Sequence, residues 1–230
     1  MSILAGFQGG LFFDLDGTLV DSERHHWEAW RAVLQIVGEP LLWMEYQREF
    51  VGLADPQVLI KLTEQRSNGE LVAKQEQLVA LKRQHFAARA RAENPIPEST
   101  CQLIRGLSEI PLALVTSSSR LETLAILESA RIAECFRVVV CLDDVQNPKP
   151  SSEPYLAAME RLQVRGGIAF EDSPAGLASA AAAGLHVVAI PSPRQFVGIV
   201  LQTLKLPEQF AAAGCKPGAG SLLPTARKDT

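Results

Sequence analysis

Several features that mark other classes of protein are scarce in this sequence. Its four cysteines, at positions 101, 135, 141 and 215, form no C-x-x-C pair, so neither a zinc site nor a disulfide framework is indicated. Reduced thiols of this kind are typical of the cytoplasm. No uninterrupted apolar run approaches the roughly 18 residues of a membrane span, and the start, MSILAGFQGG, contains no Lys or Arg, unlike a secretory signal. We therefore expect a soluble, cytoplasmic protein with no membrane partner.

An excess of positive charge is also lacking. Lys and Arg number 22 and Asp and Glu number 26, which gives a formal net charge of −4. Because nucleic-acid binders present basic surfaces, this balance predicts no nucleic-acid partner. The 230 residues, 47% of them hydrophobic, can bury a substantial core without disulfides. This length fits one large domain, or a core domain with a smaller insert.

Short apolar runs recur along the chain and alternate with longer stretches of helical character. Continuous apolar runs of this length are typical of strands buried on both faces. Strands alternating with helices indicate an α/β fold with a doubly wound, parallel, Rossmann-like sheet. A capping-box pattern, Ser119-x-x-Glu122, supports a helix after the second run. The five predicted strands are residues 10–13, 112–115, 138–142, 167–170 and 186–190.

One long segment, residues 21–98, interrupts this alternation. It is rich in Arg, Glu, Gln, Leu and Ala at helical spacing and contains no convincing strand. We predict a smaller all-helical domain over 21–98, inserted after the first strand of a discontinuous core domain formed by 1–20 and 99–210. A C-terminal tail, 211–230, contains few large apolar residues and is expected to add little to the core.

Polar residues follow four of the five apolar runs. In an open parallel sheet, ligands bind outside the carboxyl ends of the strands, so these residues are expected to converge on one crevice. Four carboxylates brought together repel one another, and a bound divalent cation relieves that repulsion. Hard oxygen donors without His or Cys favour Mg²⁺. The residues concerned are Asp14, Asp16, Thr116, Ser117, Glu171 and Asp172.

Asp14 and Asp16 are two positions apart, and on an extended segment such side chains point to the same side. A pair of this kind can divide the work of a group transfer. One carboxylate attacks, and the other exchanges protons with the leaving group and then with water.

Four motifs in order resemble those of the haloacid dehalogenase superfamily, in its phosphatase and phosphomutase branch. Residues 14–22, DLDGTLVDS, resemble the first motif, and Thr116 at the end of a strand resembles the second. Lys149, within NPKP, resembles the third, and residues 171–176, EDSPAG, resemble the fourth. The match covers residues 10–190, and the insert at 21–98 resembles the family's helical cap domain.

The resemblance implies catalytic roles for the first three motifs. Asp14 is then the nucleophile that forms an aspartyl-phosphate, and Asp16 acts as general acid and afterwards as general base. The Thr116 hydroxyl donates to a phosphate oxygen, with the Ser117 backbone amide nearby. Lys149 neutralises the charge of Asp14 and the phosphate, which suits a reaction that depends on positioning and charge neutralisation.

The resemblance also implies the metal site. Glu171 and Asp172 hold Mg²⁺ together with the Asp14 carboxylate and the backbone carbonyl of Asp16. Because the dehalogenases of the superfamily lack the second aspartate of the first motif, the presence of Asp16 argues against dehalogenation.

The cap segment carries one candidate substrate-site residue, His26. It lies in HWEAW, which resembles the first cap helix of β-phosphoglucomutase-like members, where a histidine couples cap closure to proton transfer. A histidine on an ordinary helix face remains the alternative. The family's mutases also carry basic residues around a cap glycine, whereas this chain has FVGLAD, in which Asp55 would repel an anion. Arg48 or Arg120 could replace the missing basic residues.

These observations predict a Mg²⁺-dependent phosphatase that hydrolyses small phosphomonoesters, such as sugar phosphates, through an aspartyl-phosphate. A β-phosphoglucomutase-like phosphomutase is the alternative, and a catalytically idle binding protein on the same fold is a third possibility. The expected partner is a small phosphorylated metabolite, and the expected state is a monomer or weak dimer.

Overall fold

A five-stranded parallel sheet forms the centre of the protein in a computed structural model, which describes residues 9–207 and residue 210. The predicted tail, 211–230, lies outside the described residues. The strand order is β3-β2-β1-β4-β5, so β1 lies in the middle of the sheet. The strands are β1 Gly10–Phe13, β2 Leu112–Val115, β3 Val138–Val140, β4 Gly167–Glu171 and β5 His186–Ala189.

All five predicted strands are present, but two differ in detail from the prediction. The predicted strand 138–142 ends at Val140, because the amide of Cys141 donates to the Asp144 carboxylate at 2.8 Å and a short 3₁₀ turn follows. The predicted burial of 186–190 on both faces is wrong, because β5 is an edge strand in which His186 and Ala189 are exposed.

Helices cover both faces of the sheet, which confirms the predicted doubly wound architecture. Alternate residues of β1 point to opposite faces, with Leu11 and Phe13 in one apolar cluster and Phe12 in another. The first cluster packs against α6 Glu98–Gly106, α7 Arg120–Ser129 and α10 Pro193–Thr203. The second cluster packs against α8 Glu153–Leu162 and α9 Pro174–Ala182.

Residues 21–98, which we call the cap segment, connect β1 to β2. Within this segment the structure shows helices and no strand: α1 Glu23–Ile36, α2 Trp43–Glu49, α3 Asp55–Arg66, α4 Glu70–Ala73 and α5 Gln75–Ala92. The segment has its own apolar cluster. Two of the three tryptophans, Trp27 and Trp30, belong to this cluster, and the third, Trp43, packs against it. The division of the chain into domains at residues 20 and 98 remains a prediction.

The helix α5 belongs to two apolar clusters at once. Leu78 and Val79, near its start, pack in the cluster of the cap segment. Phe86 and Ala90, nearer its end, pack in the first of the two clusters beside the sheet, the one that contains Leu11 and Phe13, together with residues of α7. This helix therefore fixes the cap segment against the helices that cover the sheet. Among the described residues, none of the helices has the length and apolar character needed to cross a membrane.

Candidate active site

Lys149 connects the carboxyl ends of three neighbouring strands. Its ammonium donates to Asp14, just after β1, at 2.7 Å and to the carbonyl of Val115, the last residue of β2, at 2.8 Å. It also contacts the carboxylate of Glu171, the last residue of β4. The side chains of Lys149, Asp14 and Glu171 are 4%, 8% and 0% exposed. The sequence placed Asp14 and Glu171 at strand ends, and the parallel sheet brings them together with Lys149 from the loop before α8.

Three carboxylates form a group with the geometry of a cation site. Asp14, Glu171 and Asp172 each offer an oxygen, and these oxygens lie within 4.8 Å of one another. Glu171 accepts a hydrogen bond from the hydroxyl of Tyr155 at 2.6 Å through Oε1. Its Oε2 is buried and has no hydrogen-bond partner among the described residues. A set of carboxylate oxygens with one buried, unpartnered atom fits Mg²⁺.

Two glycines allow the carboxylates to approach the backbone closely. Gly17 has φ +83°, and a Cβ there would lie 2.0 Å from Oδ2 of Asp172. A Cβ on Gly176, in the first turn of α9, would lie 2.0 Å from Oε2 of Glu171. Any larger residue at these two positions would displace a carboxylate of the group.

The pKa values of this group reflect burial and mutual repulsion. Burial and the neighbouring Glu171 raise the pKa of Asp14 well above its usual value, and Lys149 only partly offsets them. Burial and Glu171 likewise raise the pKa of Asp172 to about 6. Burial works to lower the pKa of Lys149, but Asp14 and Glu171 outweigh it and raise that pKa. The ammonium therefore stays charged among carboxylates whose repulsion a cation would relieve.

Asp16 lies in a different environment from Asp14. Its Oδ2 accepts a hydrogen bond from the Ser118 hydroxyl at 2.6 Å, and its Oδ1 contacts the Ser22 hydroxyl. Nε2 of His26 lies 3.6 Å from Oδ1. Burial works to raise the pKa of Asp16, but His26 and the two hydroxyls outweigh it and hold the pKa below its usual value. The two aspartates of the first motif thus have pKa values shifted in opposite directions, so their environments differ although they are two positions apart.

His26 stands between Asp16 and a buried lysine of the cap segment. Nζ of Lys82 lies 2.8 Å from Nδ1 of His26, and also binds Asp55 at 2.7 Å and Glu122 at 2.8 Å. Burial works to lower the pKa of Lys82, but Glu122 and Asp55 outweigh it and raise that pKa. Because a charged ammonium can only donate, Nδ1 accepts and the ring proton lies on Nε2, which faces Asp16. The structure thus brings His26 to Asp16.

Comparison with known proteins agrees with this geometry. The family model of haloacid dehalogenase-like hydrolases matches residues 11–190. The chain belongs to this family. The phosphorylated carbohydrates phosphatase of Thermotoga maritima is 30% identical, over 76% of this chain and 82% of that protein. The fructose-1-phosphate phosphatase YqaB of Escherichia coli is 28% identical, over 78% of this chain and 94% of that protein. The predicted enzyme class, a phosphoric monoester hydrolase, agrees with these relatives.

The fold of this haloacid dehalogenase-like hydrolase also matches solved structures. A mutant of CbbY from Rhodobacter sphaeroides, in complex with xylulose-(1,5)-bisphosphate, superposes with a TM-score of 0.68 at 24% identity. The match covers 80% of this chain and 86% of that one. At this identity the likeness shows the fold, and the predicted fold class is confirmed.

The second motif of the hydrolase lies at the end of β2. Thr116 is buried, and its hydroxyl oxygen accepts a hydrogen bond from the amide of Ser118 at 3.0 Å. The side chain of Ser117 is exposed. The side chain of Ser118, the next residue, contacts Asp16, and the predicted role of the Ser117 amide remains a prediction.

Three residues at this site had no role in the sequence-based prediction. Ser118 differs in no visible way from the serines beside it. Lys82 lies in a helix rich in charged residues, where a lysine is ordinarily solvated. Tyr155 follows Pro154 in an ordinary amphipathic helix, and the sequence gives no sign that its hydroxyl reaches Glu171. Only the tertiary packing reveals these contacts.

Proposed function

We propose that this protein is a Mg²⁺-dependent phosphatase that hydrolyses small phosphomonoesters, sugar phosphates or similar metabolites, through an aspartyl-phosphate at Asp14. The observation that carries the proposal is the environment of Asp14, which has Lys149 at 2.7 Å and two further carboxylates beside it. The names of the phosphatases similar to this chain support the same substrate class.

Asp14 is the proposed nucleophile. Its carboxylate attacks phosphorus in line with the leaving oxygen, and Lys149 neutralises charge on both the carboxylate and the transferring group. The hydroxyl of Thr116 and the amide of Ser117 bind phosphate oxygens. Magnesium, when held by Asp14, Glu171, Asp172 and the Asp16 carbonyl, supplies the remaining charge neutralisation.

Asp16 is the proposed proton carrier. In the structure it accepts hydrogen bonds and is poised as a base, which suits the second step, in which it takes a proton from the attacking water. In the first step it must carry a proton to the leaving oxygen, and the negative charge of an incoming phosphate favours that protonation. The nearby His26 ring, held by Lys82, orients the carboxylate and is a positioning residue.

The test is phosphate release from a panel of phosphomonoesters, with Mg²⁺ and with a chelator. The panel contains hexose phosphates, glycerol phosphate, phosphoglycolate and nucleotides. We expect chelator-sensitive release from one class of compound and no turnover by Asp14→Asn. The matched control is Asp21→Asn, at an exposed aspartate in the same motif. Turnover retained in Asp14→Asn would exclude the nucleophile, and isomerisation of a sugar phosphate primed by a bisphosphate would favour the mutase instead.

The predicted location and assembly state belong to the same proposal. We propose a cytoplasmic enzyme that acts as a monomer or weak dimer on a small phosphorylated metabolite. Both points remain predictions.

A further inference from the structure

Two carboxylates of the cap segment are connected to the proton-carrying aspartate through side chains that contact it. Glu23 directly follows Ser22, whose hydroxyl contacts Asp16. Asp55 binds the Lys82 ammonium, which in turn binds the His26 ring facing Asp16. Because Asp16 is the proposed proton donor to the leaving oxygen, the space beside it receives the leaving group. Glu23 and Asp55 therefore border the leaving-group side of the site.

Glu23 is fixed in place by neutral donors rather than by a cation. The Tyr46 hydroxyl donates to its Oε2 at 2.9 Å, and the amide of Gly52 donates to its Oε1 at 3.3 Å. After the effect of burial, the negative charges of Glu23, Asp55 and Asp16 raise the pKa of the Tyr46 phenol, so all three carboxylates act on this one side chain. Among the described residues, Glu23 has no ion-pair partner, and its charge remains available to act on a ligand.

The cations of the same region are already occupied by carboxylates. Lys82 is shared by Asp55 and Glu122, and its side chain is only 1% exposed. Arg83 lies 3.3 Å from Asp55 and 3.7 Å from Asp143. Asp55 therefore neutralises two cations that would otherwise attract an anion.

The two arginines that could replace the missing basic residues are also engaged. Arg48 pairs with Glu49 at 2.8 Å, and Arg120 contacts Asp144. A second phosphate on the substrate would thus meet carboxylates and occupied cations.

We propose that the leaving-group side of this site accepts an uncharged, hydroxyl-bearing group and excludes a second phosphate, with Glu23 and Asp55 as the specificity-determining residues. Ionised carboxylates only accept hydrogen bonds, which suits the hydroxyls of a polyol. A phosphate dianion beside Glu23 is repelled by the negative charge of its carboxylate. The fold alone does not impose this choice, because CbbY has the same fold and its structure contains a bisphosphate.

The inference rests on the proposed phosphatase function, and its test compares paired substrates. Initial phosphate release is measured for fructose 1-phosphate, fructose 6-phosphate and fructose 1,6-bisphosphate at constant free Mg²⁺. For the wild-type protein we expect kcat/KM to be at least about tenfold lower for the bisphosphate than for the better monophosphate. We expect Glu23→Gln and Asp55→Asn each to raise the ratio of bisphosphate to monophosphate kcat/KM by about tenfold.

A cap carboxylate outside this region provides the control. Glu39 binds Arg66 and Asn68 in the cap segment, and Glu39→Gln makes the same chemical change there. We expect Glu39→Gln to leave the substrate ratio unchanged. A general loosening of the cap by a variant would lower both rates, and would not raise the bisphosphate relative to the monophosphate.

The outcomes separate the inference from the function on which it rests. No phosphate release from any monophosphate would refute the proposed function. Equal wild-type rates with monophosphate and bisphosphate, or unchanged ratios in Glu23→Gln and Asp55→Asn, would overturn the inference while the phosphatase function stands. A preference of more than tenfold for an amino-sugar phosphate over the corresponding sugar phosphate would also overturn the inference. The amino group is protonated, so the leaving-group side would then select a cation rather than an uncharged hydroxyl-bearing group.

Discussion

Lys82 and Glu122 form a buried ion pair between the cap segment and α7, a helix that covers the sheet. The ammonium on α5 lies 2.8 Å from the carboxylate on α7, and the two side chains are 1% and 2% exposed. Lys82 also binds His26, the ring that faces Asp16. This contact between α5 and α7 is therefore connected through one further side chain, that of His26, to the proposed proton carrier.

Glu122→Gln is expected to destabilise the protein markedly. The substitution leaves the buried Lys82 with only one carboxylate, and breaking a buried pair costs about 3 kcal/mol or more. The free energy of unfolding can be measured by urea denaturation, followed through the three tryptophans, all of which lie in the cap segment.

A surface ion pair between the same two helices, α5 and α7, is the control for this substitution. Glu128 lies 3.7 Å from Arg91, with side chains 54% and 49% exposed. Glu128→Gln is expected to cost less than about 1 kcal/mol. Equal losses in the two variants would show that Lys82 and Glu122 do not contribute as a buried pair.

Gly176→Ala is expected to weaken Mg²⁺ binding by about 10- to 100-fold, the range typical of changes around a metal site. The added Cβ would lie 2.0 Å from Oε2 of Glu171 and would push that carboxylate out of the group. The measurement is the Mg²⁺ concentration that gives half-maximal phosphatase activity. Gly198→Ala, in α10, is the control, because no described atom lies within 4 Å of its Cβ. An unaltered Mg²⁺ requirement in Gly176→Ala would count against Glu171 as a ligand.

The strand ends and the four motifs were predictable because the signal is local. An apolar run followed by Asp14, or by Glu171 and Asp172, can be recognised from neighbouring residues alone. Parallel pairing of the strands then brings their carboxyl ends together. The role of Glu122 illustrates the limit of such prediction. Only the N-cap half of its predicted capping box is present: its amide donates to the Ser119 hydroxyl at 3.4 Å, and its carboxylate accepts from that hydroxyl rather than from the Ser119 amide. The same residue also binds Lys82, which is 40 positions away in the sequence.

The predicted and observed strands differ in two places, and in both the cause is a contact that the apolar pattern does not show. The run 138–142 is apolar to its end, but a carboxylate three residues beyond Cys141 takes the amide that would have continued the strand. The run 186–190 is as apolar as a central strand, and only its place at the edge of the sheet leaves it partly exposed. Hydrophobicity identifies both strands, whereas a side-chain hydrogen bond sets the end of β3 and the place at the edge of the sheet sets the burial of β5.

Mg²⁺ is expected to stabilise the protein more at pH 7 than at pH 5. The pKa of Asp172 is raised to about 6, and that of Asp14 is also raised, so the folded protein holds protons there that the unfolded chain releases. The contribution of Asp172 to stability is therefore present at low pH and is lost as the pH rises through about 6, and the contribution of Asp14 changes with pH in the same direction. A bound cation relieves the repulsion between the ionised carboxylates.

The measurement is the Tm in Mg²⁺ and in a chelator at each pH. We expect the difference between the two Tm values to grow from pH 5 to pH 7. Asp172→Asn, which removes one of the repelling charges, should raise the Tm in chelator at pH 7 and reduce the effect of Mg²⁺. A difference in Tm that is independent of pH would contradict the assignment of these carboxylates to a cation site.

Ser118→Ala is expected to lower kcat about tenfold with a smaller change in KM, because small displacements of a catalytic group reduce rates strongly. The Ser118 hydroxyl donates to Oδ2 of Asp16 at 2.6 Å, which both orients the carboxylate and helps to keep its pKa low. Loss of this donor should also move the limb of the pH–rate profile that reports Asp16 to higher pH. Ser129→Ala is the control, since that hydroxyl donates to the carbonyl of Ile126 within its own helix at 2.9 Å. An effect on stability alone would leave the position of the limb unchanged, so a lower kcat with an unshifted profile would mean that Ser118 does not act through Asp16.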